Sequence, residues 1–231
     1  MAERAKQGAG AKEARLCWEK TMREAAKGWA TQPVPVSGEI LNAIPLSHRF
    51  AIDQEHEGGD AKIRVVGDFR ASKVNDLLSM EDTAVPQNLD VLFGMASMFT
   101  QLGCARPLKA CVMDFAHAYK HVGIPASQYD FATIALPNAS GAPMVASLRT
   151  QPFGPIRAPA NWARVTNFVQ FFSIRLCKVW LGIYVGDCFC VEPVDTIDSA
   201  GNCIRAVCAL LGLELEPPKE QPPPQHRSTP G

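Results

Sequence analysis

The sequence predicts an α+β fold, an antiparallel sheet with helices packed on one face. Three observations carry that expectation. From Leu108 onward, β-rich and helical segments follow in the order strand, strand, strand, helix, strand, strand, helix. Hydrophobic residues make up 47% and charged residues 20% of the 231, enough apolar material for a sizeable core. The longest apolar stretch, Val165 to Leu176, is broken by Asn167, Gln170 and Arg175, so no segment reaches the ~18 residues of a membrane-spanning helix. No membrane partner is expected.

The elements follow in chain order. Residues 3–27 read as a polar helix with a thin apolar stripe of Leu16, Trp18 and Met22, stopped by Gly28. The first thirty residues carry seven basic and four acidic side chains and no apolar core of a leader. They read as a solvated extension (1–30), with a phosphate-touching arm as the sharper alternative, and not as a secretory signal. Pro33, Pro35, Pro45 and Gly58-Gly59 mark residues 31–60 as extended segments and loops. Lys62 to Phe69 is a short β-rich run. Pro86 to Leu102 is a helix with Pro86 in its first turn and Leu89, Leu92, Phe93, Ala96 and Phe99 on one face. Lys109 to Phe115, Asp130 to Leu136 and Met144 to Arg149 are strands. Pro159 to Cys177 is a long helix. Val179 to Val185 and Cys188 to Val191 are strands with Gly186-Asp187 as the turn between them. Thr196 to Leu211 is a helix stopped by Gly212, and residues 217–231, with six prolines, form a disordered or polyproline tail.

None of the eight cysteines is spaced C-x-x-C, and no Cys/His group has zinc-finger spacing. Reduced thiols in an intracellular protein are expected, with nucleus and cytoplasm not distinguished. The formal net charge is zero, which excludes a chain-wide electrostatic grip on a polyanion but not a local one. Residues 104–180 hold eight basic against two acidic side chains, a net of +6, and residues 181–220 two basic against seven acidic, a net of −5. The basic segment suits a polyanion or a solvated face equally.

Asp114 ends an apolar strand, and Asp187 sits at a hairpin tip between apolar strands. A carboxylate in such a place is costly unless it is paired or binds a cation. Two at strand ends of one sheet suit a shared Mg²⁺; two turn-forming Asp residues are the alternative.

A third segment, Gln151-Pro152-Phe153-Gly154-Pro155 running to Ala158-Pro159, sets these acids in a pattern. In order, Asp114-Phe-Ala-His-Ala-Tyr119, Gln151 to Pro159, and Tyr184-Val185-Gly186-Asp187 resemble the first three palm motifs of retroelement reverse transcriptases. Upstream, Lys62-x-Arg64-x-x-x-Asp68-Phe69-Arg70 with Asn75 resembles the fingers motif of that family. Downstream, Leu211-Gly212-Leu213 followed by Lys219 resembles the fourth palm motif. The Asp68-Phe69-Arg70-x-x-x-x-Asn75-Asp76 and Gln128-x-x-Asp130-Phe131-Ala132 patterns suggest a retrotransposon branch.

The resemblance implies a right-hand polymerase palm, a ferredoxin-like antiparallel sheet with helices on one face, plus partial fingers. Residues 31–107 would be fingers-like and 108–216 palm-like. It implies RNA-directed DNA polymerisation, in which a primer 3′-hydroxyl attacks the α-phosphate of a deoxynucleoside triphosphate on an RNA or DNA template. Mg²⁺ or Mn²⁺ would be held by Asp114 and Asp187, the catalytic residues. Tyr119 would pack under the sugar and sense the 2′-hydroxyl. Lys62 and Arg64 would hold the triphosphate, Pro152, Phe153 and Gly154 would shape the nucleotide pocket, and Lys219 would lie near the leaving pyrophosphate.

Two departures stand out. Gly186 occupies the position of the first Asp of the family's Tyr-x-Asp-Asp motif. Side chains alternate along a strand, so Asp187 is expected to aim away from Asp114 and the copy to be catalytically impaired. Nineteen residues follow Gly212, too few for a thumb. A non-catalytic nucleic-acid-binding relic or interaction domain of the same fold is the alternative.

Overall fold

The computed structural model of the chain describes residues 10–54, 62–79 and 87–217. The chain forms two compact units, Met1–Val85 with His117–Thr166, and Pro86–Ala116 with Asn167–Gly231. The expected boundary at 107/108 therefore differs from the structural one. The chain leaves the second unit after Ala116 and returns at Asn167, because the hairpin between these points pairs with the N-terminal strands.

The first unit is a five-stranded mixed sheet in the order β1-β6-β5-β2-β3. Its strands are β1 (Val34–Pro35), β2 (Ser47–Gln54), β3 (Lys62–Asp68), β5 (Thr133–Pro137) and β6 (Pro143–Ser147). β2 pairs antiparallel with β3 and parallel with β5, and β5 pairs antiparallel with β6. Asn138 closes the β5–β6 turn, its side-chain oxygen accepting from the backbone of Ser140 and Ala142. A short helix α2 (Gly38–Ala43) is capped by Ser37, whose hydroxyl accepts from Ile40 N–H.

Helix α1 (Ala11–Ala26) packs on this sheet. The expectation of a solvated extension fails here: Cys17, Thr21 and Glu24 are buried. Cys17 joins a core of Phe69, Val74, Ile134, Leu136 and Leu148. The polar residues of the helix face inward because the sheet supplies their partners. Arg49 on β2 donates to Thr21 Oγ1 at 2.8 Å and to Glu24 Oε2 at 2.7 Å, and Lys120 Nζ lies 3.2 Å from Glu24 Oε1. Burial pushes the Glu24 carboxyl up, but Arg49 and Lys120 outweigh it and hold it below the ordinary carboxylate range. Burial pulls the Lys120 amine down by more than Glu24 restores, and the neighbouring Arg49 charge adds to the fall.

The second unit is a three-stranded antiparallel sheet, β4-β8-β7, of β4 (Leu108–Asp114), β7 (Leu181–Tyr184) and β8 (Asp187–Pro193). Helices cover both of its faces, not the one face expected. Residues directly opposed in an antiparallel pair share a face. Phe189 and Val191 on one face of β8 pack with Met95 of α3 (Leu89–Gln101). On the other face Cys111 and Met113 meet α5 (Ile197–Leu210), where a Cβ at Gly201 would lie 3.7 Å from Cys111 Sγ. Helix α3 starts at Leu89, later than the proline suggested, because Asn88 caps it by accepting from Asp90 N–H. Helix α4 (Ala158–Phe172) runs from the first unit into the second and ends in a π-helical turn, Ser173–Cys177.

The outer edge of β7 is closed by side chains. Gln87 Oε1 accepts from Ile183 N–H at 2.8 Å, and Gln170 Nε2 donates to Leu181 C=O at 2.6 Å and to Gln87 at 3.2 Å. Two glutamines thus replace a neighbouring strand and blunt an exposed edge.

Candidate functional site

The chemistry-bearing residues fall into two clusters, one in each unit. In the second unit β4 and β8 run in register from Leu108↔Pro193 to Asp114↔Asp187. Phe115 N–H donates to Gly186 C=O, and Val194 N–H to Pro107 C=O, so odd-numbered β4 residues make the hydrogen-bonded pairs. Asp114 and Asp187 therefore form a non-hydrogen-bonded pair, the narrow kind, with Cα atoms about 4.5 Å apart and side chains on one face. Asp114 is half-buried and Asp187 exposed. The expected turn, Gly186-Asp187, is corrected by one residue. Tyr184 pairs with Asp187, so Val185 and Gly186 make the turn and Asp187 opens β8. A one-residue shift reverses the face of every side chain on a strand, which is why Asp187 joins Asp114 instead of aiming away.

The turn carries strain. Val185 has φ 51°, a left-handed conformation uncommon for a β-branched residue. Gly186 has an ordinary φ, and a Cβ built there would lie 3.6 Å from Asp114 Oδ1, an ordinary contact. Position 186 thus has room for a side chain beside the Asp114 carboxylate. On the other side of β4, Glu216 N–H donates to Asp114 C=O at 2.7 Å and Ala116 N–H to Glu214 C=O at 2.9 Å, around a Phe115↔Leu215 bridge. The backbone that ends β4 is held on both sides.

Two opposed carboxylates repel, and a divalent cation between them turns that repulsion into attraction. Among the described residues, no group of three or more His, Cys, Asp or Glu side chains is placed to hold a metal. Mg²⁺ is commonly held by one or two carboxylates with substrate phosphates completing its shell. The Asp114–Asp187 pair fits a site of that kind, not a closed protein cage.

In the first unit, β3 and the 151–157 turn are locked together. Gly67 N–H donates to Phe153 C=O, Asn75 Nδ2 donates to Gly154 C=O at 3.3 Å, and Asn75 Oδ1 accepts from Ile156 N–H at 3.2 Å. Gly154 has φ 124°, and a Cβ there would collide with Gly67 C=O; only glycine fits. The lock aligns side chains from three motifs. Arg64 lies over the Phe153 ring at 6.0 Å, Phe153 meets Tyr119 at 4.9 Å, and Tyr119 meets Trp162 edge-on at 6.5 Å. Tyr119 is buried, and burial pushes its hydroxyl above the ordinary value. Pro152 is buried beneath the turn, while Phe153 is 41% exposed. The result is a shelf with an aromatic surface and a guanidinium at its rim.

Arg64, Tyr119, Pro152, Phe153 and Gly154 come together in one unit, and Asp114 with Asp187 in the other. Lys62 begins β3, with its side chain outside the described residues, and Lys219 lies outside them altogether. Trp162, the far wall of the shelf, was not singled out from the sequence as a site residue; its place on the core face of a helix gave no chemical signal.

Compared with known proteins, the sequence matches no protein-family model and no curated protein.

Proposed function

We propose that the chain is the fingers–palm portion of a reverse-transcriptase-like polymerase, transferring deoxynucleotides to a primer 3′-hydroxyl on an RNA or DNA template. The observation that carries this reading is the register pairing of Asp114 with Asp187. Four of the five segments singled out in the sequence contribute to just two clusters, and that economy supports the reading further.

Each residue has a chemical task. The Asp114 and Asp187 carboxylates hold Mg²⁺ or Mn²⁺, which when bound neutralises phosphate charge and lowers the pKa of an attacking hydroxyl. Phe153 and Tyr119 offer apolar surface to a sugar and base. The buried Tyr119 ring limits the room for a 2′-hydroxyl. Arg64 offers a planar, permanently charged fork to phosphate oxygens. Gly186 removes one carboxylate from the hairpin, which favours slow chemistry; a deficit of about 4 kcal/mol in transition-state stabilisation is roughly a thousandfold in rate. The same glycine is the specific observation in favour of the second reading, a nucleic-acid-binding relic without catalysis.

Primer extension separates the two. The unaltered chain, Asp114→Asn, Asp187→Asn and Gly186→Asp are compared on RNA and DNA templates with Mg²⁺ or Mn²⁺. Slow extension, abolished in both Asn variants and raised in Gly186→Asp, supports the polymerase. Template–primer binding with no extension by any variant supports the relic. Extension indifferent to Asp114→Asn contradicts the assignment of the site.

A further inference from the structure

The first unit carries a cationic and aromatic cluster outside the candidate site. Trp29 follows α1, and three residues flank it. Lys27 Nζ lies 4.5 Å from the centre of its ring, and the His117 ring meets it edge-on at 5.0 Å. Arg149 N–H donates to Trp29 C=O at 2.7 Å, beside the Ala30↔Leu148 bridge. Ala30 and Leu148 are buried, so their opposed neighbours Trp29 and Arg149 turn to the outer face. Trp29 is half-buried, while Lys27, His117 and Arg149 are exposed. Lys27 Nζ is also 3.2 Å from His117 Nε2. A lysine has three donors; one holds it on the imidazole, and the others remain for the oxygens of a ligand. Helix α1 extends the charge. Lys20, Arg23 and Lys27 recur at three- and four-residue spacing, which sets them along one side of the helix. The carboxylates of α1 are engaged elsewhere: Glu13 Oε1 accepts from Ala51 N–H at 3.0 Å, Glu19 pairs with Arg15, and Glu24 pairs with Arg49 and Lys120. The cationic side is left short of anions.

We propose that Trp29, Lys27, Arg149 and the Lys20–Arg23 side of α1 bind a single strand of nucleic acid. One unpaired base lies on the indole, and the phosphates on either side of it meet the cations. Cations alone would serve any polyanion. An indole set among them adds a surface for a base, which a strand offers only where its bases are unpaired, and this contact tolerates any base sequence. Lys27 contributes twice, to a phosphate oxygen through its free donors and to the indole through its charge. An anionic lipid surface is recognised by apolar insertion together with charge, whereas Lys27, His117 and Arg149 surround Trp29 with polar groups. The surface uses none of Asp114, Asp187 or Arg64, so it is independent of the polymerase reading.

The test titrates the full chain into a fluorescently labelled oligouridylate, read by anisotropy in EDTA so that a divalent-cation site is silent. Lys27→Glu and Trp29→Ala are each expected to weaken binding roughly tenfold. Arg15→Glu, the same charge change on another side of α1, is expected to weaken it by less than about twofold. The losses persist in an Arg64→Ala background, which separates this surface from the Phe153 shelf. A second readout needs no variant: an oligonucleotide carrying 5-iodouridine is cross-linked to the unaltered chain by ultraviolet light, and mass spectrometry is expected to find the adduct on Trp29. If Trp29→Ala does not fold, that adduct decides alone. An absence of binding, an equal loss in Arg15→Glu, tighter binding of a duplex than of the single strand, an adduct on Phe153 with none on Trp29, or binding to phosphatidylserine vesicles in place of the oligonucleotide overturns the proposal.

Discussion

Glu24 is a single carboxylate serving two buried cations, Arg49 and Lys120. Removing it leaves both charges in the interior without an anion, a change that costs about 3–5 kcal/mol when a buried pair is broken from one side. Glu24→Gln is therefore expected to lower the urea midpoint of unfolding steeply, while Arg15→Ala, at an exposed pair with Glu19, changes the unfolding free energy by less than about 0.5 kcal/mol. The folded-state pKa of Glu24 lies below its unfolded value. Its contribution is present above the unfolded pKa and is lost as pH falls through the folded one. Acid titration of stability thus shows a component in the carboxylate range that is absent in Glu24→Gln. At the hairpin tip, Val185 holds a backbone angle that glycine adopts freely, and its side chain is 44% exposed. Val185→Gly is expected to raise stability by about 1 kcal/mol, read from the same unfolding curves.

Elements show where the sequence was legible and where it was not. Strand β4, helix α5 and the β7–β8 hairpin stand close to their expected positions, because apolar periodicity and the Gly212 stop are local signals. The turn was misplaced by one residue. A glycine next to an aspartate reads as the turn pair, whereas the register along all of β4 and β8 decides which residue opens the strand. That single step moved Asp187 onto the face of the sheet that carries Asp114. Helix α1 looked solvated because its buried side chains are polar, and their partners, Arg49 and Lys120, are far away in sequence. The Asp130 to Leu136 and Met144 to Arg149 strands were expected in one sheet with Lys109 to Phe115 but join the other sheet, β5 beside β2 and β6 beside β1, a long-range choice that periodicity does not encode. Residues 217–231 and Lys219 lie beyond or at the limit of the described residues. Within the three-stranded sheet, Gly182 stands opposite Phe189, and a Cβ on it would collide with the buried ring. Gly182→Ala is expected to destabilise the chain by about 1–3 kcal/mol through overpacking.

At the scale of the whole molecule, zero net charge conceals a +6 segment over residues 104–180 and a −5 segment over 181–220. If the proposed function holds, the basic residues meet phosphates and binding is a matter of counterion release. About four phosphate contacts imply a loss of roughly a hundredfold in affinity between 50 and 200 mM salt. Fluorescence anisotropy with a labelled template–primer measures that slope; a flat response contradicts phosphate contacts. Under the proposed function, Asp114 and Asp187 share one divalent cation. Titration of the chain with Mn²⁺, followed by electron paramagnetic resonance, tests it without requiring turnover. Asp114→Asn and Asp187→Asn should each weaken binding at least about tenfold, or 1.4 kcal/mol, and Gly186→Asp should strengthen it. Mn²⁺ binding of unchanged affinity in both Asn variants would contradict the account.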